Sequence, residues 1–151
     1  MEFTPSKINL FVLTQLPAAY FTGVRLESIN ESGAVVRLRH RWLNQNPFRS
    51  IYFAVQLMAA ELSTGVLVMR AIAKRKGEKI SMLVASNSAT YTKKATGVIR
   101  YSCWQADVVE AAIEETLRTK EGVKFVLEST GVNANGETVV IAQFEWTIKA
   151  K

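Results

Sequence analysis

One carboxylate stands out for its surroundings. Glu61 lies in a run whose near neighbours are Ala54, Leu57, Met58, Leu62, Gly65 and Val68, all apolar or without a side chain. Several of them share its face at spacings of about three, four and seven residues. A carboxylate so placed must be paired, protonated or functional, because burying an unpaired charge is costly. The structural alternative is a Glu that emerges on the one wet edge of its helix or meets a lysine. Other reactive side chains are few. His40 is the only histidine and Cys103 the only cysteine in the 151 residues. A Ser-His-Asp triad would have to rest on that single ring. A lone cysteine rules out an intramolecular disulfide framework and most cysteine-built zinc sites. His40 falls in one alternating set with Val36, Leu38 and Trp42, which marks it as a core residue, and Cys103 beside Trp104 reads as structural.

The elements that must hold Glu61 follow from periodicity. Ile8, Phe11, Val12, Gln15, Leu16 and Ala19 form one helical stripe, which Pro17 bends or ends. Alternation over residues 24–29 and 36–42, across a turn at residues 30–33, predicts a hairpin with one wet face. A polar loop at residues 43–50 precedes a long apolar helix from residue 51 to about 76, with Ser50 as its N-cap. Strands are expected over residues 80–92 and 98–104, joined by a turn at 93–97. Residues 107–120 read as an amphipathic helix capped by Asp107, and residues 123–132 and 138–148 as a hairpin across Asn-Ala-Asn-Gly. Strands grouped around a single very apolar helix predict one α+β domain over residues 1–151, with an antiparallel sheet wrapped around that helix.

Composition limits the partners. Hydrophobic residues make up 48% and charged residues 21%, which suffices for a core and excludes a disordered or fibrous chain. The net charge of +6 suits anionic partners without choosing among them. Arg37, Arg39 and Arg41 alternate along one strand, but the basic residues are scattered and lack a recognition motif, so no nucleic acid is expected. Residues 51–73 are long enough to cross a bilayer, yet hold Gln56, Glu61 and Arg70. A carboxylate near the centre of a span costs about 2.5–3.5 kcal/mol. A buried helix, no membrane and, by default, a cytoplasmic location are the expectation.

A family resemblance adds to this. The run from Asn46 through Glu61 to Gly65 (NPFRSIYFAVQLMAAELSTG) resembles the central-helix signature of hotdog-fold acyl-CoA thioesterases. It is most similar to an uncharacterised, domain-of-unknown-function branch related to the phenylacetate-pathway group. In that family an Asn precedes the helix, an acid lies further along it, and a small residue follows the acid by four; Asn46, Glu61 and Gly65 match. The run from Tyr91 to Gly97 (YTKKATG) resembles the strand and turn that follow, with Lys94 where proline is usual. The order of elements fits over residues 8–148. One departure is the helix start, where better-known members carry His-Gly-Gly and this chain carries Tyr52-Phe53-Ala54.

The resemblance implies thioester hydrolysis. Glu61 would act as general base on water, or as nucleophile, and a low-dielectric setting should raise its pKa toward neutrality. Backbone N–H groups of Phe53 or Ala54 would hold the oxyanion, and Asn46 would orient water or carbonyl. Gln56, Thr64 and Tyr91 are candidates to touch the substrate, and Lys93, Lys94 and Arg100 to meet coenzyme A phosphates. Relatives use a polar side chain on the next strand, for which Ser81, Ser86 and Ser88 are unranked candidates; the best-aligned position is apolar Val84. Phe53 and Glu61 stand eight residues apart, about 12 Å along one helix. One helix cannot offer both groups to one carbonyl, whereas two antiparallel copies can. A homodimer or homotetramer acting on an acyl-CoA or related thioester is expected, with no cofactor beyond the substrate's own coenzyme A. Dehydration is disfavoured, because the rival hotdog dehydratases use a His with an acid in or near this helix. A non-catalytic acyl or acyl-CoA binder is the alternative.

Overall fold

The structure, a computed structural model, describes residues 2–151. Its axis is α3 (Phe53–Ala73), of whose twenty-one residues twelve are buried. Val55, Ala59, Leu62, Val66 and Leu67 leave almost no surface in solvent. Each fully buried valine or leucine among them contributes about 1.5–3 kcal/mol. The apolar surface that suggested a membrane span is used up against the protein's own sheet, with 67% of its most apolar stretch buried.

The sheet has six strands: β1 (Arg25–Ile29), β2 (Ala34–Arg39), β3 (Ile80–Tyr91), β4 (Val98–Cys103), β5 (Val123–Asn133) and β6 (Thr138–Ala150). Their spatial order is β1-β2-β4-β5-β6-β3, and every pairing is antiparallel. α3 packs on β2, β4, β5 and β6, so the expected sheet wrapped around one helix is the observed architecture. Three polar pairs fix the helix on the sheet. The Tyr101 hydroxyl donates to Gln56 Oε1 at 3.0 Å, the Ser63 and Ser129 hydroxyls lie 2.7 Å apart, and the Trp146 indole N–H donates to Thr64 Oγ1 at 3.0 Å. All are buried, so each is worth more to register than its modest net energy suggests.

α1 (Pro5–Gln15) and α2 (Pro17–Phe21) flank this core, the expected stripe being broken at Leu16. Thr4 caps α1, its hydroxyl accepting from the Lys7 N–H. Pro17 has no N–H to extend α1 but starts α2 well. α4 (Ala106–Thr119) lies against α3, β5 and β6.

Several boundaries differ from the sequence reading. α3 begins at Phe53 with Tyr52 at the cap, not at Ile51 with Ser50. Ser50 is taken by Asn46, and Ile51 is held extended by a bridge to Gln45 and by its N–H to Ala95 O at 2.8 Å. α3 also ends at Ala73, before the cationic tail. β2 stops at Arg39, because the Asn44 amide donates to Arg39 O and Thr22 O and turns the chain into a short 3-10 helix. Trp42 therefore sits 80% exposed instead of in the core. Arg41 likewise leaves the arginine stripe and reaches back to Phe21 O. Gln105, not Asp107, occupies the cap position of α4; Asp107 lies in its first turn, where a carboxylate suits the helix dipole.

Candidate active site

Glu61 projects from the partly exposed stripe of α3 that also carries Ala54, Leu57 and Met58. With the chain at residues 15–19 these side chains enclose an apolar pocket of about 510 Å³, in which Glu61 is the only acid. The carboxyl has no hydrogen-bond or ion-pair partner among the described residues, and burial pushes it up to about 7 from an ordinary 4.5. Gly65 makes room for it. A Cβ at that position would stand 3.1 Å from Glu61 Oε1 and 3.2 Å from the Trp146 ring.

A second groove, of about 540 Å³, opens at the start of α3. Asn46, Phe53, Gln56, Tyr91, Lys93 and Lys94 line it together, so six of the ten candidate residues other than the β3 serines meet there. The Phe53 and Tyr91 rings touch edge to face, 6.1 Å between centroids. No side chain caps the helix, and the first-turn N–H groups of Phe53 and Ala54 have no partner among the described residues. Asn46 closes its own loop, Oδ1 accepting from the Phe48 and Ser50 N–H groups and Nδ2 donating to Ser50 Oγ. One of its amide hydrogens is left over. Lys93 is paired with Glu137, while Lys94 has no carboxylate partner among the described residues.

Ala54 and Glu61 line the apolar pocket, not this groove. Thr64, fully buried, and Arg100, bidentate on Glu27 at 2.8 and 3.1 Å, line neither. Gln56 is 4% exposed and spends its carbonyl on Tyr101. His40 is partly buried with its Nε2 unpartnered, and burial pushes the Cys103 thiol up to about 11, which leaves it unreactive. Among the described residues no three His, Cys, Asp or Glu side chains converge as a metal site requires.

The three serines on β3 face away from the helix, opposite Lys149, Glu145 and Gln143. A bulge at Ala85 changes the parity of the strand. Ile80, Met82 and Val84 lie on the helix side of the sheet before it, and Asn87, Ala89 and Tyr91 after it, judged by their partners on β6. Asn87, exposed in the protomer, is thus the amide of β3 on the helix side, and the sequence reading missed it. Strict alternation from Val84 points away from it; only the small residue in mid-strand hinted at a break.

A six-stranded antiparallel sheet around one long helix is the hotdog fold. The family model described as "Domain of unknown function (DUF4442)" matches residues 8–148, and the chain belongs to that family. Among solved structures it resembles a protein from Pseudomonas aeruginosa described as a probable thioesterase, at 18% identity and a TM-score of 0.79, covering 98% of this chain and 97% of that one. A protein of unknown function from Chlorobaculum tepidum gives 16% and 0.80, covering 97% and 96%. A thioesterase from Haemophilus influenzae gives 10% and 0.70, covering 98% and 92%. At such identities the likeness is one of fold. Comparison with curated proteins gives no match.

Proposed function

We propose that the protein is an acyl-CoA thioesterase whose general base is Glu61. The observation that carries this reading is the unpaired Glu61 carboxyl in an apolar pocket, held near neutrality at about 7. A base of that pKa is half ionised at neutral pH and suited to taking a proton from water. Water attacks the thioester carbonyl as its proton passes to Glu61. The oxyanion of the tetrahedral intermediate is held by the uncapped N–H groups of Phe53 and Ala54, reinforced by the helix dipole. Collapse breaks the carbon–sulfur bond, and the proton on Glu61 goes to the leaving thiolate. The products are the carboxylic acid and free coenzyme A.

The site needs two chains. Glu61 lies eight residues along α3 from Phe53 and seven from Ala54, about 10–12 Å of helix, so the oxyanion donors facing Glu61 belong to a second copy with its α3 antiparallel. Two features support this dimer: the partly exposed apolar stripe of α3, and β3, a twelve-residue strand on the open edge of the sheet with Leu83 66% exposed. Long open edges of this kind invite pairing. In the dimer the groove of Asn46, Phe53 and Tyr91 takes the coenzyme A portion, with Lys94 available to a phosphate.

The test is free-thiol release from short, medium, long and aromatic acyl-CoAs by wild type and Glu61→Gln. Equal rates in the two proteins would overturn the mechanism. A second reading, acyl-CoA binding without turnover, is favoured by Phe53, whose side chain is 50% exposed where better-known members have glycine. No hydrolysis with calorimetric binding of acyl-CoA would establish it instead.

A further inference from the structure

The pocket beside Glu61 has a wall that the chemistry above does not use. α1 and α2 meet at an elbow, Leu16 and Pro17, and this elbow closes the pocket on the side opposite α3. The break follows from Pro17, and it leaves Leu16 and Ala18 lining the space. Leu57 and Met58 form the floor, both partly buried. Apart from Glu61 itself, the exposed Gln15 is the only side chain of this lining with a nitrogen or oxygen atom.

We propose that this pocket seats the acyl tail, that it takes an aliphatic chain without polar substituents, and that Leu16 and Ala18 set the chain length. The inference rests on the thioesterase reading and deepens it. A carbonyl held at Glu61 leaves its tail only apolar surface to follow, along α3 toward Ala54 and beneath the elbow. The volume of about 510 Å³ falls within the size of small-molecule sites. Met58 suits tails of differing shape, since its unbranched thioether adapts to irregular neighbours. Ala18 is exposed in the protomer, so a larger side chain there fills the pocket without crowding the core.

The experiment compares wild type, Ala18→Phe and Leu16→Ala. kcat/KM is measured over saturated acyl-CoAs of increasing length. In parallel, saturated fatty acids of the same lengths displace a fluorescent polyene fatty acid, which reads tail binding without catalysis. Ala18→Phe should move both optima to shorter chains, with a loss that grows about fourfold for each methylene denied its place. Leu16→Ala should move them to longer chains. The same length profile in all three proteins, or an equal loss at every length, would overturn the assignment. So would dissociation of the variants into monomers in sedimentation, which would make the elbow a subunit contact. An elbow-dependent fatty-acid profile in a protein that hydrolyses nothing upholds the tail site and removes the enzymatic reading. Hydrolysis indifferent to the elbow does the reverse.

Discussion

Gly65 lies one helical turn beyond Glu61, and the carboxyl occupies the space a side chain at Gly65 would need: an added Cβ would come within 3.1 Å of Oε1. Trp146 closes the same space from the sheet, its ring 3.2 Å from that Cβ. The glycine here is negative in φ and helical, so it serves as a vacancy for the acid and not as a turn. Gly65→Ala should gain helix propensity of up to about 1 kcal/mol, offset by the two tight contacts. Stability should stay within about 1 kcal/mol of wild type while thiol release falls at least about tenfold, 1.4 kcal/mol of transition-state stabilisation. Chemical unfolding and initial rates check it; full activity would mean that the placement of Glu61 is not critical.

Glu61→Gln keeps the size of the side chain and removes the base. Thioester hydrolysis should fall by about 10²–10⁴, the usual worth of general-base catalysis. For wild type, kcat/KM should rise with pH through about 7 as Glu61 ionises.

The same carboxyl should make stability depend on pH. Between an ordinary 4.5 and about 7 the unfolded chain has released this proton and the folded chain still holds it. Stability therefore falls as pH rises through that window and stays reduced above it. The full shift corresponds to about 3 kcal/mol, and partial solvent screening brings it to about 1–2 kcal/mol. Glu61→Gln should raise Tm by about 2–8 °C at pH 8 and hardly at pH 4. An equal gain at both values would show that the ionised carboxylate is not what destabilises the fold.

Thr64 separates a structural from a substrate-binding role. Thr64→Val deletes the acceptor of the Trp146 indole N–H inside the core. An unfolding free energy lower by about 1–3 kcal/mol is expected, with KM for acyl-CoA unchanged. A raised KM at unchanged stability would restore Thr64 to the binding site.

The oligomer should be visible directly. Sedimentation or light scattering at micromolar concentration should give a dimer or a tetramer. A strict monomer with full thioesterase activity would break the composite-site argument.

What the sequence disclosed depended on how local the cause was. The apolar run of α3 and the alternation of β4 and β6 are patterns of single elements, and the fold is legible from them. The buried, unpaired setting of Glu61 was legible too, because a carboxylate among apolar neighbours is an anomaly visible without coordinates. The start of α3 was not. Ser50 looks like a cap, but Asn46 had already claimed its N–H and hydroxyl, four residues away through a folded loop. Trp42 was misplaced for a similar reason, since the contact that ends β2 comes from Asn44 reaching Thr22, twenty-two residues upstream. Arg100 and Lys93 looked like free cations because nothing near them in the chain announces Glu27 or Glu137 as partners.

The bulge at Ala85 sets the reading frame of β3. Were Ala85 to take a regular place opposite Glu145, Ser86 and Ser88 would fall opposite Phe144 and Ala142, the places now held by Asn87 and Ala89, and a face with one amide would carry two hydroxyls. Val84 and everything before it would stay put, and so would the strand's partner on β6. Deleting Ala85 would instead leave both faces as they are, since Ser86 would follow Val84 directly and still lie opposite Glu145. For the same reason, related chains that lack the bulge need a gap at this position before their β3 side chains can be matched, residue for residue, to those of this protein.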